Sequence, residues 1–306
     1  SIAKPRRTIP SSSITALQAG SVVEVHGGPY TKDSQPYPTY MAYWRAEGTA
    51  AQPAFIRAMS FGDVKFVQMT SILLGGSYLI VENFECDDSR LQGHRTLESS
   101  HIVVRNNEFY GGAVTKSVVV YVAQGCHWTV YNNHIHHCGD PFGAEENDWV
   151  GIQAGDYSAD NGRHATDVWV VDNYIHHIGS DAVQLNSGSA RDLADVPRRI
   201  YIGRNIAHTC GENAVDLKQC ADVVYTQNVG YNFKGWSTGS DGTAIVVNDD
   251  APHENIWILY NEIYDSLCGI RAQQPAHLIG NTIHNIAHDP NDGYDPDATW
   301  PGGGYA

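Results

Sequence analysis

The chain has 306 residues, 42% of them hydrophobic, enough for one elongated repeat domain or two compact ones. Its 34 acidic against 19 basic residues give a formal net charge of -15, and the only basic clusters are residues 4–7 and the pair Arg198 and Arg199, so nucleic acid and anionic membranes are excluded as natural partners. Apolar runs such as SVVVYVA at 117–123 fall far short of the roughly 20 residues of a membrane helix, so a soluble chain is expected.

Residues 1–20, ending in SSSITALQAG, predict a short helical cap that shields the end of a repeat array from edge-to-edge pairing. A chain that opens on Ser1 fits the removal of a leader. The six cysteines, Cys86, Cys126, Cys138, Cys210, Cys220 and Cys268, include no C-x-x-C pair. They are expected as buried thiols packing like small hydrophobes, with a Cys210–Cys220 bridge left open.

Between 21 and 287 one phrase recurs: HIVVRNNEFYGG, HWTVYNNHIHHCG, DVWVVDNYIHHIG, RIYIGRNIAHTCG, DVVYTQNVGYNFKG, NIWILYNEIYDSLCG and HLIGNTIHNIA. Aligned, these put Asn107, Asn133, Asn173, Asn205, Asn228, Asn261 and Asn281 in one column, at intervals of 26, 40, 32, 23, 33 and 20 by subtraction. Short alternating strands at such a period, with no helical periodicity between them, predict an all-β, single-domain right-handed parallel β-helix whose coils each hold three strands. An asparagine amide donates and accepts, so stacked copies bond along the axis and tolerate a bend.

Three residues beyond each asparagine stand Tyr110, His136, His176, His208, Tyr231, Tyr264 and His284. Alternation puts His134 and His136 on one face, which raises a metal site; a stacked ring ladder is the more economical reading, because tyrosine replaces histidine at three rungs.

A second strand precedes each asparagine phrase: SVVVYVA, VGIQAGD, DAVQLNS, NAVDLKQ, TAIVVND and CGIRAQQ. Val120, Ile152, Val183, Val215, Ile245 and Ile270 align as its inward column. Outward lie Tyr121, Gln153, Gln184, Asp216, Val246 and Arg271, with Ala123, Gly155, Asn186, Lys218, Asn248 and Gln273 two residues on. Strands about 4.8 Å apart carry these polar groups past an extended glycan, so Gln153, Gln184, Asn186, Asn248 and Tyr121 are candidate substrate-binding residues. The turns entering and leaving the strands add Asp148, Asp181, Glu212, Asp241, Asp156, Arg191, Asp249 and Asp250 around one lysine, Lys218. From 288 to 306 the Gly-, Pro- and Asp-rich sequence predicts a tail or covering loop.

The segment ENAVDLK at 212–218 resembles the DDGFDL-type turn and strand of family 9 pectate lyases. That resemblance implies calcium held by Asp181, Glu212 and Asp216, with Asn213 standing where the family has an aspartate. V-x-L-K at 215–218 also resembles the strand of family 6 lyases, the alginate lyase and chondroitinase B group. There the lysine at the Lys218 position is the base and an arginine follows on a later rung; Arg271 is the candidate here, two rungs on and shifted by two residues.

Together these imply a secreted or periplasmic polysaccharide lyase that cleaves a uronic-acid glycan by β-elimination, with calcium as cofactor, an acidic polysaccharide as partner, and a monomeric state. Two other readings stay open. One is a glycoside hydrolase with Asp216 paired to Asp181, Glu212 or Asp249. The other is a non-catalytic glycan binder resting on Tyr121, Trp149 and Tyr157. A C5-epimerase would share the lyase's proton abstraction.

Overall fold

The computed structural model describes residues 16–31, 42–69, 71–94, 99–112, 117–143, 149–155, 164–186, 188, 192–236, 240–250, 252–287 and 304–305. Among them the chain winds into a solenoid with three faces of parallel strands. The first face stacks Leu91–Gly93, Ser117–Val122, Trp149–Gly155, Val183–Asn186, Val215–Leu217, Thr243–Val247 and Cys268–Ala272. The second stacks Ser99–Arg105, Thr129–Tyr131, Thr166–Val171, Arg198–Gly203, Cys220–Thr226, His253–Leu259 and Ala276–Ile279. The third runs from Tyr30–Thr31 through Glu108–Tyr110, His134–Cys138, Tyr174–Ile178 and Ile206–His208 to Thr282–His284.

Alternation decides which residue of each strand enters the core. On the first face the inward column is Val120, Ile152, Val183, Val215, Ile245 and Ile270, in direct register and all buried. Val104, Val130, Val170, Ile202, Tyr225 and Ile258 fill the second face, and Phe109, Ile135, Ile175 and Ala207 the third. Each large aliphatic buried this way contributes about 1.5–3 kcal/mol. Trp44, Phe66 and Phe84 pack together near the N-terminal end, with ring centroids 4.8–5.9 Å apart.

Bends between the second and third faces are built from two positions. Asn106, Asn132, Asp172, Arg204, Gln227 and Tyr260 hold φ between 51° and 56°, the left-handed region that L-residues rarely adopt. What holds them there is the next residue, the ladder asparagine. Each ladder amide donates to the Oδ1 of the next, at 2.9–3.1 Å from Asn107 to Asn281, and Asn133, Asn173, Asn205, Asn228 and Asn261 also donate to a carbonyl of the preceding coil.

The ring column stacks as its spacing predicts. Tyr110, His136, His176, His208, Tyr231, Tyr264 and His284 follow one another with centroids 4.4–5.5 Å apart and interplanar angles of 6–15°. Burial, then the neighbouring His177, pushes His208 down to about 4. The unfolded chain therefore takes up a proton near pH 6.5 that the folded chain refuses. This contribution to stability is complete above pH 6.5 and is lost as pH falls toward 4, on the order of 2 kcal/mol. Urea unfolding at stepped pH should show that slope, and His208→Tyr, which borrows the ring used at Tyr231, should make it shallower, the rest coming from His176, which burial and its histidine neighbours push down to about 3.

Two expectations need correction or completion. In the described part of the cap, Leu17–Gln18 is a strand paired in parallel with Ala46 and Glu47, where a helix was expected. Pairing with a neighbouring coil satisfies its backbone and overrides the helical propensity of Ala-Leu-Gln. The rest of the cap, and the tail from 288 apart from a strand at Gly304–Tyr305 antiparallel to Cys268–Ala272, lie outside the described residues. All six cysteines are free, Cys86, Cys138, Cys210 and Cys220 being fully buried, so the Cys210–Cys220 bridge is not formed.

Candidate active site

Outward on the first face the register runs Tyr121, Gln153, Gln184, Asp216, Val246, Arg271, one residue per coil. Asp181 and Glu212 enter from the turns that precede their strands. Three carboxylates thereby gather against Lys218, whose Nζ lies 3.2 Å from Asp216 Oδ2. Asp181, Asp216 and Glu212 are buried, with relative exposures of 0%, 3% and 7%; Lys218 is the member that reaches solvent, its side chain 28% exposed.

So much buried negative charge shifts every proton equilibrium in the group. Burial, then Asp216 and Glu212, pushes the Asp181 carboxyl well above the usual range. Burial also raises Asp216, against the opposing pull of Lys218. For Lys218 itself burial disfavours the ammonium, but Asp216, Asp181 and Glu212 outweigh it and the pKa rises. Asp181 Oδ1 and Asp216 Oδ1 are buried with no hydrogen-bond partner, which a carboxylate oxygen tolerates poorly unless a cation or proton meets it. An oxygen-only donor set of this kind suits a hard divalent cation such as calcium.

Around the cluster the polar candidates are engaged with one another. Gln153 Nε2 donates to Gln184 Oε1 at 2.9 Å, and Gln184 Nε2 donates to Asp181 Oδ2 at 2.9 Å, so the two glutamines orient Asp181. Asn186 bonds Gln184 at 3.4 Å, and Asn248 bonds the Asp216 carboxylate. Arg271 is brought to the same column two coils on, where Asp241 takes its Nη1 in an ion pair. Tyr121 and Trp149 are buried, 5% and 3% exposed, so neither is the open aromatic platform that the glycan-binder reading requires; Tyr157 lies outside the described residues.

One neighbour was not legible in the sequence. His253, at the start of a second-face strand, donates from Nε2 to Leu217 O, the carbonyl that precedes Lys218, at 2.9 Å, and burial lowers its pKa. Only the register Cys220 to His253 would have pointed to it.

Residues 59–194 match the family model described as a right-handed beta helix region. The chain is a right-handed parallel β-helix. Among solved structures this β-helix is similar to an alginate lyase from Paenibacillus sp. str. FPU-7, with a TM-score of 0.58 at 13% identity over 89% of each chain. It is equally similar to the pectate lyase Pel9A, with a TM-score of 0.58 at 14% identity over 90% of this chain and 71% of that one. No curated protein matches it in sequence. At these identities the likeness is one of fold, and the chemistry rests on the side chains of this β-helix.

A groove lies elsewhere, on the second face, where Tyr78, His101, His127, Trp128 and Trp169 line about 540 Å³. Its one carboxylate, Asp167, is tied to Arg199 at 2.6 Å. The groove offers His101 and His127 but no pair of free carboxylates and no lysine, so the carboxylate cluster around Lys218 is the better candidate.

Proposed function

We propose that this β-helix is a polysaccharide lyase that cleaves a uronic-acid-containing glycan by β-elimination, with Lys218 as the base. The observation that carries the reading is a single lysine, partly exposed on the first face, set against three buried carboxylates of which two have an unpartnered oxygen. Similarity of fold to an alginate lyase and a pectate lyase supports a carbohydrate-active enzyme.

In the reaction Lys218 Nζ takes the C5 proton, the electrons of that C–H bond form the C4=C5 double bond, and the C4–O bond breaks with its pair on the departing sugar. Removal of so weakly acidic a proton requires the uronate carboxylate to be neutralised. Asp181, Glu212 and Asp216 would hold calcium, whose charge would neutralise that carboxylate and relieve the pull of the three acids on the Lys218 proton. Gln184 fixes Asp181, Asn248 fixes Asp216, and Arg271, held by Asp241, stands along the same column to meet a neighbouring uronate. Gln153 and Asn186 line the path of the glycan, whereas Tyr121, buried in the same column, is not in a position to touch it. A monomer acting in a secreted or periplasmic setting accords with such a substrate.

The test is to follow the ultraviolet absorbance of unsaturated uronate while the protein acts on pectate, alginate and glycosaminoglycans. Product is expected with calcium and is expected to vanish with chelator, and calcium should raise the thermal midpoint of stripped protein. New reducing ends without that absorbance would overturn the lyase reading. They would favour a glycoside hydrolase, a second reading supported by the raised Asp181 and Asp216 pKa values, since a general acid must hold its proton.

A further inference from the structure

The third face carries a second cluster of ligand-type side chains, separate from the carboxylates and of different chemistry. We propose that Glu108, His134 and His136 bind a zinc-like divalent transition-metal ion, with a fourth coordination position open to solvent. Glu108 and His134 are direct cross-strand partners, and His136 lies two residues along the same strand with Ile135 locked in the core between them. Glu108 Oε1 stands 3.0 Å from His136 Nε2 and 3.5 Å from His134 Nδ1. An ion bound at about 2.0–2.1 Å in a tetrahedral set has ligand-to-ligand edges of about 3.3–3.4 Å, a value that the two distances from Glu108 bracket, and all three ligand atoms lie within 4.8 Å of one another.

The remaining ring nitrogens are engaged in the way that orients a metal-bound imidazole. His134 Nε2 meets His176 Nε2 at 2.9 Å, and His136 Nδ1 meets His137 Nδ1 at 2.9 Å, which leaves His134 Nδ1 and His136 Nε2 directed at Glu108. Two imidazoles with one carboxylate favour a borderline cation such as zinc over calcium, so the two clusters select different ions. The side chains are 17–38% exposed, and an ion can enter from solvent. Ring stacking accounts for His136 in its column, but not for a carboxylate and a second histidine converging on the same point.

Ladder chemistry supplies a clean test. His136→Tyr keeps a stacking ring, as Tyr110 does one coil earlier, while removing the ligand nitrogen. Untagged, chelator-stripped protein would be titrated calorimetrically with zinc alone, and with cobalt read by its visible absorption. One ion per chain is expected, with a tetrahedral cobalt spectrum, and with affinity at least about tenfold weaker in both His136→Tyr and Glu108→Gln. His284→Gln, which breaks a histidine–glutamate pair that has no third ligand among the described residues, should bind zinc as the parent does. Circular dichroism verifies the fold of each variant, and Glu108→Gln carries the test should His136→Tyr misfold. No zinc uptake by the parent, or unchanged affinity in a folded Glu108→Gln, would overturn the site.

Discussion

Replacing Lys218 by methionine is expected to lower the rate of unsaturated-product formation by about 10²–10⁴-fold, the range in which a positioned general base contributes, or roughly 3–5 kcal/mol of barrier. Loss of Lys218 also strips Asp216 of its partner at 3.2 Å, so a fall in rate alone would not separate chemistry from structure. Lys218→Arg does separate them. A guanidinium keeps the ion pair and the local charge but does not give up its proton at neutral pH, so it preserves the cluster and fails as a base. Both variants are expected to be inactive, with Lys218→Arg retaining the parent's thermal midpoint and calcium response. An active arginine variant would reduce Lys218 to an electrostatic role and send the search for the base to another side chain.

The behaviour of the carboxylates bears on the same experiment. In the ion-free molecule they raise the Lys218 pKa, the opposite of what a base needs, although burial alone would lower it. Activity should therefore depend on cation more steeply than substrate binding does, appearing in kcat as well as in KM.

Much of this arrangement is legible in the residues. The inward column from Val120 to Ile270 and the outward column from Tyr121 to Arg271 are in the register that alignment of the repeats gives, because a parallel solenoid stacks equivalent positions and a slip by one residue would turn every valine to solvent. The asparagine and ring ladders are visible for the same reason. What alignment does not reveal is which neighbour a polar side chain chooses. Gln153, Gln184 and Asn186 read as free hydrogen-bonding groups, yet they are bound to one another and to Asp181. Tyr121 faces outward by alternation and is nonetheless covered. Glu108 is 26 residues before His134, and only the coil length brings it opposite. The cap misleads because local propensity there is outweighed by a partner strand at Ala42–Glu47.

The ladder makes the second large prediction. Asn205 Oδ1 accepts from the backbone N and from Nδ2 of Asn173, both at 2.9 Å, while its own Nδ2 donates to Val170 O at 2.9 Å and to Asn228 Oδ1 at 3.0 Å. Alanine removes all four bonds and leaves the buried Asn173 N–H without an acceptor. The orphaned buried N–H costs about 1–3 kcal/mol and the other three lost bonds about 1 kcal/mol each, so Asn205→Ala should destabilise by about 4–6 kcal/mol in urea unfolding. Aspartate should do no better, because it still accepts from Asn173 but turns an oxygen toward Val170 O and Asn228 Oδ1, where a donor is required. Arg204, immediately before it, holds φ at 55° only while the bend is pinned, and that strain should be released with the ladder. At the end of the column Asn281 makes the same bonds to Asn261 but is only part-buried, so water replaces what alanine removes and Asn281→Ala should cost less than half as much. Equal losses at the two positions would mean that the ladder acts through local turn geometry and not through satisfaction of buried polar groups.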